Sequence, residues 1–524
     1  MAKGKALGEI IIAGPGAGKT FNMVETILKA LPDLLPCRYM AVITYTNSAT
    51  SNIQKRLAKK ITIPENLFIG TIHSFLNKFI VIPFSSLGTM DIGKEKLFMQ
   101  CGIDDVFEKV EKLKEKDKRS KTPQDAAIIK SAITKKLNKL GYITFDQTLS
   151  IAKNCLLNSD VCRIISNRLQ FLFVDEFQDS NNEVFSIIDN IRKQNKTWIY
   201  CVGDPEQYIQ SFDSTIRAFK NIPILKAAES KGYSVQINNC NYRSTKKIVS
   251  FLNHFNGRYF NSIKFQQVAF SKETNLPDDA EQGEDVIFIN KFGDVTSIKE
   301  DFYVRCDSLN IPISKRCILA KKNDVFKRIV GSVNNQYMNP KKATNVLPLK
   351  AIQDTLLSTL QMNQTAFCDH YQTNIYTLRK HAVSIFKAIH NGKITNEDSY
   401  GNFITGTLHL KMKEGLPVKI ENLRVDFSNN DDGTIVTIAN IHTIKGLESE
   451  AVLAIAKTEE ELLLWIETDH LIREAKRDNE KTDYPRLGYV AFSRAERLLC
   501  IACLESVSDA TLRKLKILEV VFDE

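Results

Sequence analysis

Two clusters of residues in this chain have the types and spacing for phosphate chemistry. The first is Ala13-Gly14-Pro15-Gly16-Ala17-Gly18-Lys19-Thr20, directly after the apolar run Ile10-Ile11-Ile12. Glycines let a backbone curl around an anion without a Cβ in the way. Lys19 can reach the outer phosphates of a nucleoside triphosphate, and the Thr20 hydroxyl can ligate Mg²⁺. The second cluster is Asp175-Glu176, at the end of the apolar run Phe171-Leu172-Phe173-Val174. Triphosphate hydrolysis needs one acid to hold the metal and another to orient or deprotonate the attacking water. Asp175 suits the first role and Glu176 the second.

Such groups work only if buried strands deliver them to a common edge. The loop 13–20 needs a strand before it and a helix after it, so that free N–H groups and a positive dipole end point at the phosphates. Runs 40–45, 169–174 and 199–202 are apolar and of strand length, each ending in polar residues. That pattern predicts a parallel sheet that binds ligand at its carboxyl edge. Helical periodicity at 21–31 and 49–59 supplies the crossovers. Strands are also predicted at 435–441, 452–456 and 498–504, and a helix at 376–389. Residues 104–139, rich in Lys and Glu, form a helical segment, and 331–430 a second insertion. The fold class is therefore α/β, with two units each interrupted by a mostly helical insert.

With 524 residues the chain exceeds one core and predicts three or four domains or subdomains. No apolar stretch is long enough for a bilayer, and the lead before the loop lacks a signal core, so a cytoplasmic setting is expected. The eleven cysteines are scattered, and Cys500 and Cys503 fall in a predicted buried strand, as reduced core residues do. A net charge of +10 is compatible with a polyanionic partner. The loop alone leaves the driven process open, since kinases, GTPases, transporters and helicases share it.

The string Val174-Asp175-Glu176-Phe177-Gln178-Asp179 resembles the UvrD/Rep/PcrA branch of the superfamily 1 helicases, and further matches follow in family order. Residues 42–47 with Ala49 and Arg56, and then 70–75, resemble the family's DNA-contact motifs. Residues 202–207 resemble the motif whose glutamine, here Gln207, couples the γ-phosphate to DNA. Asn241-Tyr242-Arg243-Ser244 resembles the motif supplying an adenine-stacking tyrosine and an arginine finger. Residues 317–321, 441–448 and 486–495 complete the set.

The resemblance implies two RecA-like motor domains with parallel sheets: 1–76 with 150–255, and 256–330 with 431–524. Helical insertions would occupy 77–149 and, in reduced form, 331–430. It implies an ATP- and Mg²⁺-dependent translocase or helicase moving 3′ to 5′ on single-stranded or tailed duplex DNA. Lys19, Asp175, Glu176, Gln207, Arg243 and Arg494 would be catalytic, with Arg243 and Arg494 meeting the γ-phosphate as the motor halves close. Loop 13–20, Tyr242, Arg243, Glu448 (on the ribose) and Arg494 would hold nucleotide, and Thr20 and Asp175 the metal. Thr44, Asn47, His73 and His442 are implied backbone contacts to DNA, and Tyr45 and Phe212 base-stacking platforms.

The sequence departs from the family at informative places. No glutamine precedes Ala13, which puts the choice of ATP over GTP in question. Gln210 replaces an aromatic ring, Asp213 an arginine, and Ile72 an aromatic. The hydrolytic set is thus fuller than the stacking set. A second reading stays open: a nucleotide-gated sensor or regulatory subunit that activates a partner nuclease with little unwinding of its own. Compact helicase subunits of bacterial anti-phage systems, including the Gabija type, are similar in size and simplicity.

Overall fold

The computed structural model describes residues 8–88, 99–101, 142–209, 219–293, 295–321, 348–390, 392–411, 436–442, 446–475 and 483–522, with isolated positions between them. Segment 104–139, as well as Gln210, Phe212 and Asp213, thus lies outside the described residues but for isolated positions in the segment. The fold is α/β, built on two parallel six-stranded sheets. Two compact units divide the chain, one comprising 1–305 with 444–524, the other 306–443.

In the first unit, β1 (Gly8–Ala13), β2 (Tyr39–Thr44), β3 (Leu67–Thr71), β4 (Leu169–Val174), β5 (Trp198–Gly203) and β6 (Ser234–Asn238) lie in the order β3-β2-β4-β5-β1-β6. Alternation along the strands explains why both faces are covered. Ile10, Ile12, Ala41, Ile43, Leu172 and Val174 belong to one apolar layer. Their neighbours Ile11, Ala13, Met40, Val42, Phe171 and Phe173 belong to the other. Successive side chains on a strand point to opposite faces, so near-continuous apolar runs need helices on both sides. The second layer is completed by α1 (Lys19–Ala30) through Met23, Val24 and Ile27, and by α2 (Asn47–Ala58) through Ile53 and Leu57. The first receives α3 (Ile72–Leu76) and α4 (Asn182–Lys193), the latter through Val184, Ile187, Ile188 and Ile191.

Register brings the functional loops to one edge. Ile12 pairs with Gly203, Ala13 with Asn238, Ile43 with Val174 and Thr44 with Thr71. The segments starting at Gly14, Tyr45, Asp175, Asp204 and Asn239 therefore leave the sheet side by side.

The same unit holds a parallel run in which β7 (Ile287–Ile289) lies between β11 (Ala495–Cys503) and β12 (Val521–Phe522). Between β7 and β10 in sequence, the second unit pairs β8 (Arg316–Ala320) with β9 (Thr437–Asn440) in parallel. β10 (Ser449–Ala456) pairs with β11, Leu453 opposite Cys500. The predicted strands at 435–441, 452–456 and 498–504 correspond to β9, β10 and β11, with ends shifted by a few residues.

Candidate active site

The loop after β1 is shaped for an anion. Gly16 and Gly18 have φ of +69° and +67°, conformations that glycine adopts at no steric cost. A Cβ on Gly16 would lie 2.3 Å from Asn241 Oδ1, and one on Gly14 2.5 Å from Gln267 Cδ. Gly18 opens α1 and no side chain caps that helix, which leaves its first N–H groups for the loop's ligand. Lys19 Nζ donates to the carbonyls of Ala13 at 3.4 Å and Gly14 at 3.2 Å.

Asp175 is buried. Thr20 Oγ1 donates to its Oδ2 at 3.3 Å, and the Glu176 N–H donates to its Oδ1 at 3.0 Å. Burial, then the Glu176 carboxylate, push the Asp175 carboxyl up to about 7. A hydroxyl and a buried carboxylate that resists ionisation form an oxygen set suited to a hard divalent cation, which would relieve the charge. The residues thus fit a Mg²⁺–triphosphate: Thr20 and Asp175 for the metal, loop 13–20 for the phosphates.

Beyond Asp175 a hydrogen-bonded relay runs through the site. Glu176 takes a left-handed backbone, φ 48°, which turns its side chain away from that of Asp175. Gln178 Nε2 donates to Glu176 Oε2 at 2.6 Å, while Gln178 Oε1 accepts the Asp204 N–H at 3.0 Å. Gln207 Nε2 donates to Asp204 Oδ2 at 2.7 Å, and Arg494 Nη2 donates to Gln207 Oε1 at 3.0 Å. Asp204 is fully buried, and burial raises its carboxyl to about 6. Burial, with Arg243 nearby, lowers the Arg494 guanidinium to about 9.

The structure links Thr20 to Asp175, and Glu176 through Gln178, Asp204 and Gln207 to Arg494, with Lys19 near enough to act on the Asp175 charge, and arranges the others differently. Arg243, whose Cβ lies beside Gly16 of the loop, spends its guanidinium on protein partners. Its Nε donates to Glu448 Oε2 at 2.7 Å and its Nη1 to the Ser493 carbonyl at 2.9 Å. The expected finger and the expected ribose contact are each other's partner here. Burial opposes ionisation of Glu448, but Arg243 outweighs it and lowers its pKa. Arg494, by contrast, is bonded to Gln207. The Tyr242 ring leans on Phe270, centroids 5.5 Å apart, and its hydroxyl donates to Asn275 at 2.7 Å.

Two of the residues expected to contact DNA have hydroxyls engaged within the protein. Thr44 is fully buried and shares its hydroxyl with Thr50 at 2.6 Å. Thr46, which caps α2, is exposed at this edge. Tyr45 is half-buried against the core, its hydroxyl bonded to Ser180. Asn47 is exposed and His73 half-buried. His442, in the second unit, is exposed with Nδ1 3.1 Å from Asn440 Oδ1.

Sequence reasoning missed Gln267. Its amide donates to the Pro15 carbonyl at 2.9 Å and to the Cys240 carbonyl at 3.2 Å, while Tyr242 N–H donates to Gly16 O at 2.9 Å. These contacts clamp the loop from outside, and no motif marks a glutamine so far away in sequence. Gln178 lay within a recognised string but carried no assigned role.

Fold and site together define a P-loop protein of the α/β class. Residues 5–213 match the family described as "AAA domain". An ATP-dependent DNA helicase Rep of Buchnera aphidicola is 25% identical over 50% of this chain and 45% of its own length. Gabija protein GajB of Bacillus cereus is 24% identical over 49% of this chain and 48% of its own. A probable DNA helicase II homolog of Mycoplasma genitalium is 21% identical over 96% of this chain and 84% of its own. The chain spans less than half the length of the first two. Over about half of its length the chain is thus similar to DNA helicases named Rep and PcrA and to a Gabija protein. No helix among the described residues is long and apolar enough to cross a membrane.

Proposed function

We propose that this chain is an ATP-driven DNA translocase, moving 3′ to 5′ along single strands and separating tailed duplexes. The relay from Glu176 through Gln178, Asp204 and Gln207 to Arg494 carries the reading. It ties the carboxylate positioned to accept the attacking water's proton to a guanidinium suited to γ-phosphoryl charge. Bound Mg²⁺ would supply charge neutralisation at the phosphates; Thr20 and Asp175 would hold it. Lys19, now on loop carbonyls, would turn to the phosphates, and Arg243 would leave Glu448 to join them. Tyr242 would stack on the base and Glu448 contact the ribose. Asn47, His73, His442 and Phe212 would serve the strand, with Thr46 in place of Thr44. Segments 1–76 with 150–255 and 256–330 with 431–524 would be the motor halves, and 77–149 and 331–430 their insertions.

Similarity to a Gabija protein favours a second reading, in which turnover gates a partner nuclease in cytoplasmic antiviral defence. One assay separates them: ATP hydrolysis with and without single-stranded DNA, and strand separation on 3′- and 5′-tailed duplexes, with Lys19→Ala as the inactive control. The motor reading expects stimulated hydrolysis and separation on 3′ tails. Equal hydrolysis with and without DNA, and no separation on either tail, would leave only the gated reading.

A further inference from the structure

Gln267 is buried, and its backbone is held by groups that do not belong to the phosphate loop. Its N–H donates to Asn253 Oδ1 at 2.8 Å, and Asn253 Nδ2 donates back to its carbonyl at 2.8 Å. Asn253 ends the helix Lys246–Asn253, which is anchored by buried Ile248, Val249, Phe251 and Leu252. The residues that follow Gln267, Val268 and Ala269, pair in parallel with Cys240 and Asn241. The direction of the Gln267 side chain is therefore set by this frame and not by the loop.

From that frame the amide reaches two segments at once. Nε2 donates to the carbonyls of Pro15 and Cys240, and Oε1 accepts from Asn241 Nδ2 at 3.4 Å. An amide nitrogen carries two hydrogens, so each carbonyl takes one. The same amide fills the hollow beside Gly14. Asn241, also buried, fills the hollow at Gly16, and its Oδ1 accepts the N–H groups of Arg243 at 2.9 Å and Ser244 at 3.0 Å. Two buried amides thus grip the loop at Gly14–Gly16 and join it to the backbone that carries Tyr242 and Arg243. A glycine-rich loop has many backbone conformations open to it. Contacts from outside the loop are what select one.

We infer that Gln267 is a positioning residue for the phosphates: it holds loop 13–20 in its anion-binding form before nucleotide arrives, in step with the backbone of Tyr242 and Arg243. It acts through the loop, on the phosphates and not on the base. The entropy of ordering the loop is then lost on folding rather than on binding, which favours affinity. This inference rests on the reading of loop 13–20 as a triphosphate site and requires no movement along a strand.

The test uses the full-length chain and Mg²⁺-dependent ATP hydrolysis without DNA. Inorganic tripolyphosphate serves as a competitor that has neither base nor ribose. Gln267→Met keeps the length of the side chain and removes its hydrogen bonds. KM for ATP and Ki for tripolyphosphate should both rise about 10-fold, with kcat within about threefold of the parent. Gln267→Glu keeps the shape and should do the same at about pH 8, where its carboxylate has no proton to give to Pro15. Thermal unfolding checks that each variant is folded. Parental KM in a folded variant would overturn the inference. So would a raised KM with an unmoved tripolyphosphate Ki, since the effect would then lie at the base, or a fall in kcat alone. A parent chain with no saturable hydrolysis would overturn the triphosphate reading and this inference together.

Discussion

Replacing Glu206 by Gln should destabilise the first unit without touching a phosphate-binding group. Glu206 neighbours Gln207 in a tight turn and is buried among cations. Its Oε2 accepts from Arg473 Nη2 at 2.7 Å, its Oε1 from Arg258 Nε at 3.3 Å. Arg486 completes the cluster, stacked 3.3 Å from the Phe219 ring centroid. Burial alone would raise the Glu206 carboxyl, but Arg473, Arg486 and Arg258 outweigh it and hold the value at about 2, against 4.5 ordinarily. That depression corresponds to roughly 3–4 kcal/mol. It agrees with the roughly 3–5 kcal/mol for stranding one partner of a buried pair. The folded value is depressed, so the stabilisation is fully present above pH 4.5 and is lost as pH falls from 4.5 towards 2. Thermal unfolding of Glu206→Gln should therefore show a midpoint roughly 5 °C below the parent at neutral pH. The difference should hold constant from about pH 8 down to about pH 5.5 and narrow only below that. Adding Arg473→Met should recover part of the loss by removing a stranded cation. A midpoint within about 1 °C of the parent at neutral pH, or a gap already closing between about pH 8 and 6, refutes the reasoning.

Glu176→Gln should bind nucleotide with near-parental affinity while turnover falls by roughly 10²-fold or more; near-normal steady-state hydrolysis would sink its role as base. Gln178→Ala removes the amide that aims Glu176, so kcat should drop about 10-fold with KM for ATP unchanged, and a shift in KM alone would contradict a positioning role. Glu448→Gln releases Arg243 from a half-exposed pair worth up to about 1 kcal/mol. DNA-independent hydrolysis should then rise by up to about fivefold, and a fall in that basal rate would show that the pair does not restrain Arg243.

The chemistry at the sheet edge was legible because it is local. A strand, a glycine loop and a helix start occupy 8–30, and the acid pair directly follows an apolar strand. Periodicity sufficed for β2, β4, β5, β9, β10, β11 and the helix Ile375–His390 because each is a continuous apolar or amphipathic run. What could not be read was which polar groups spend their hydrogen bonds on one another. Thr44 looks like a donor to DNA until the turn into α2 folds Thr50 onto it. Gln267 follows the loop it clamps by some 250 residues, and its partners there are carbonyls, which leave no mark in sequence.

Arg243 and Arg494 look equivalent in sequence, yet their surroundings separate them. Arg494 is buried, with Nε on the Val490 carbonyl, Nη1 on Leu447 and Nη2 on Gln207. Moving it would break these bonds, and one to Ser493 Oγ, and strand a buried cation, so it belongs to the fixed frame that holds Gln207. Arg243 lies nearer the surface, its charge partner Glu448 half-exposed at 50% of its side chain. Water can replace that partner at small cost, so the guanidinium can change partners within one turnover. Arg494 would thus set the geometry that a γ-phosphate meets, and Arg243 would report its arrival. Coupling between nucleotide and strand should therefore depend on the Arg243–Glu448 exchange rather than on both arginines moving together.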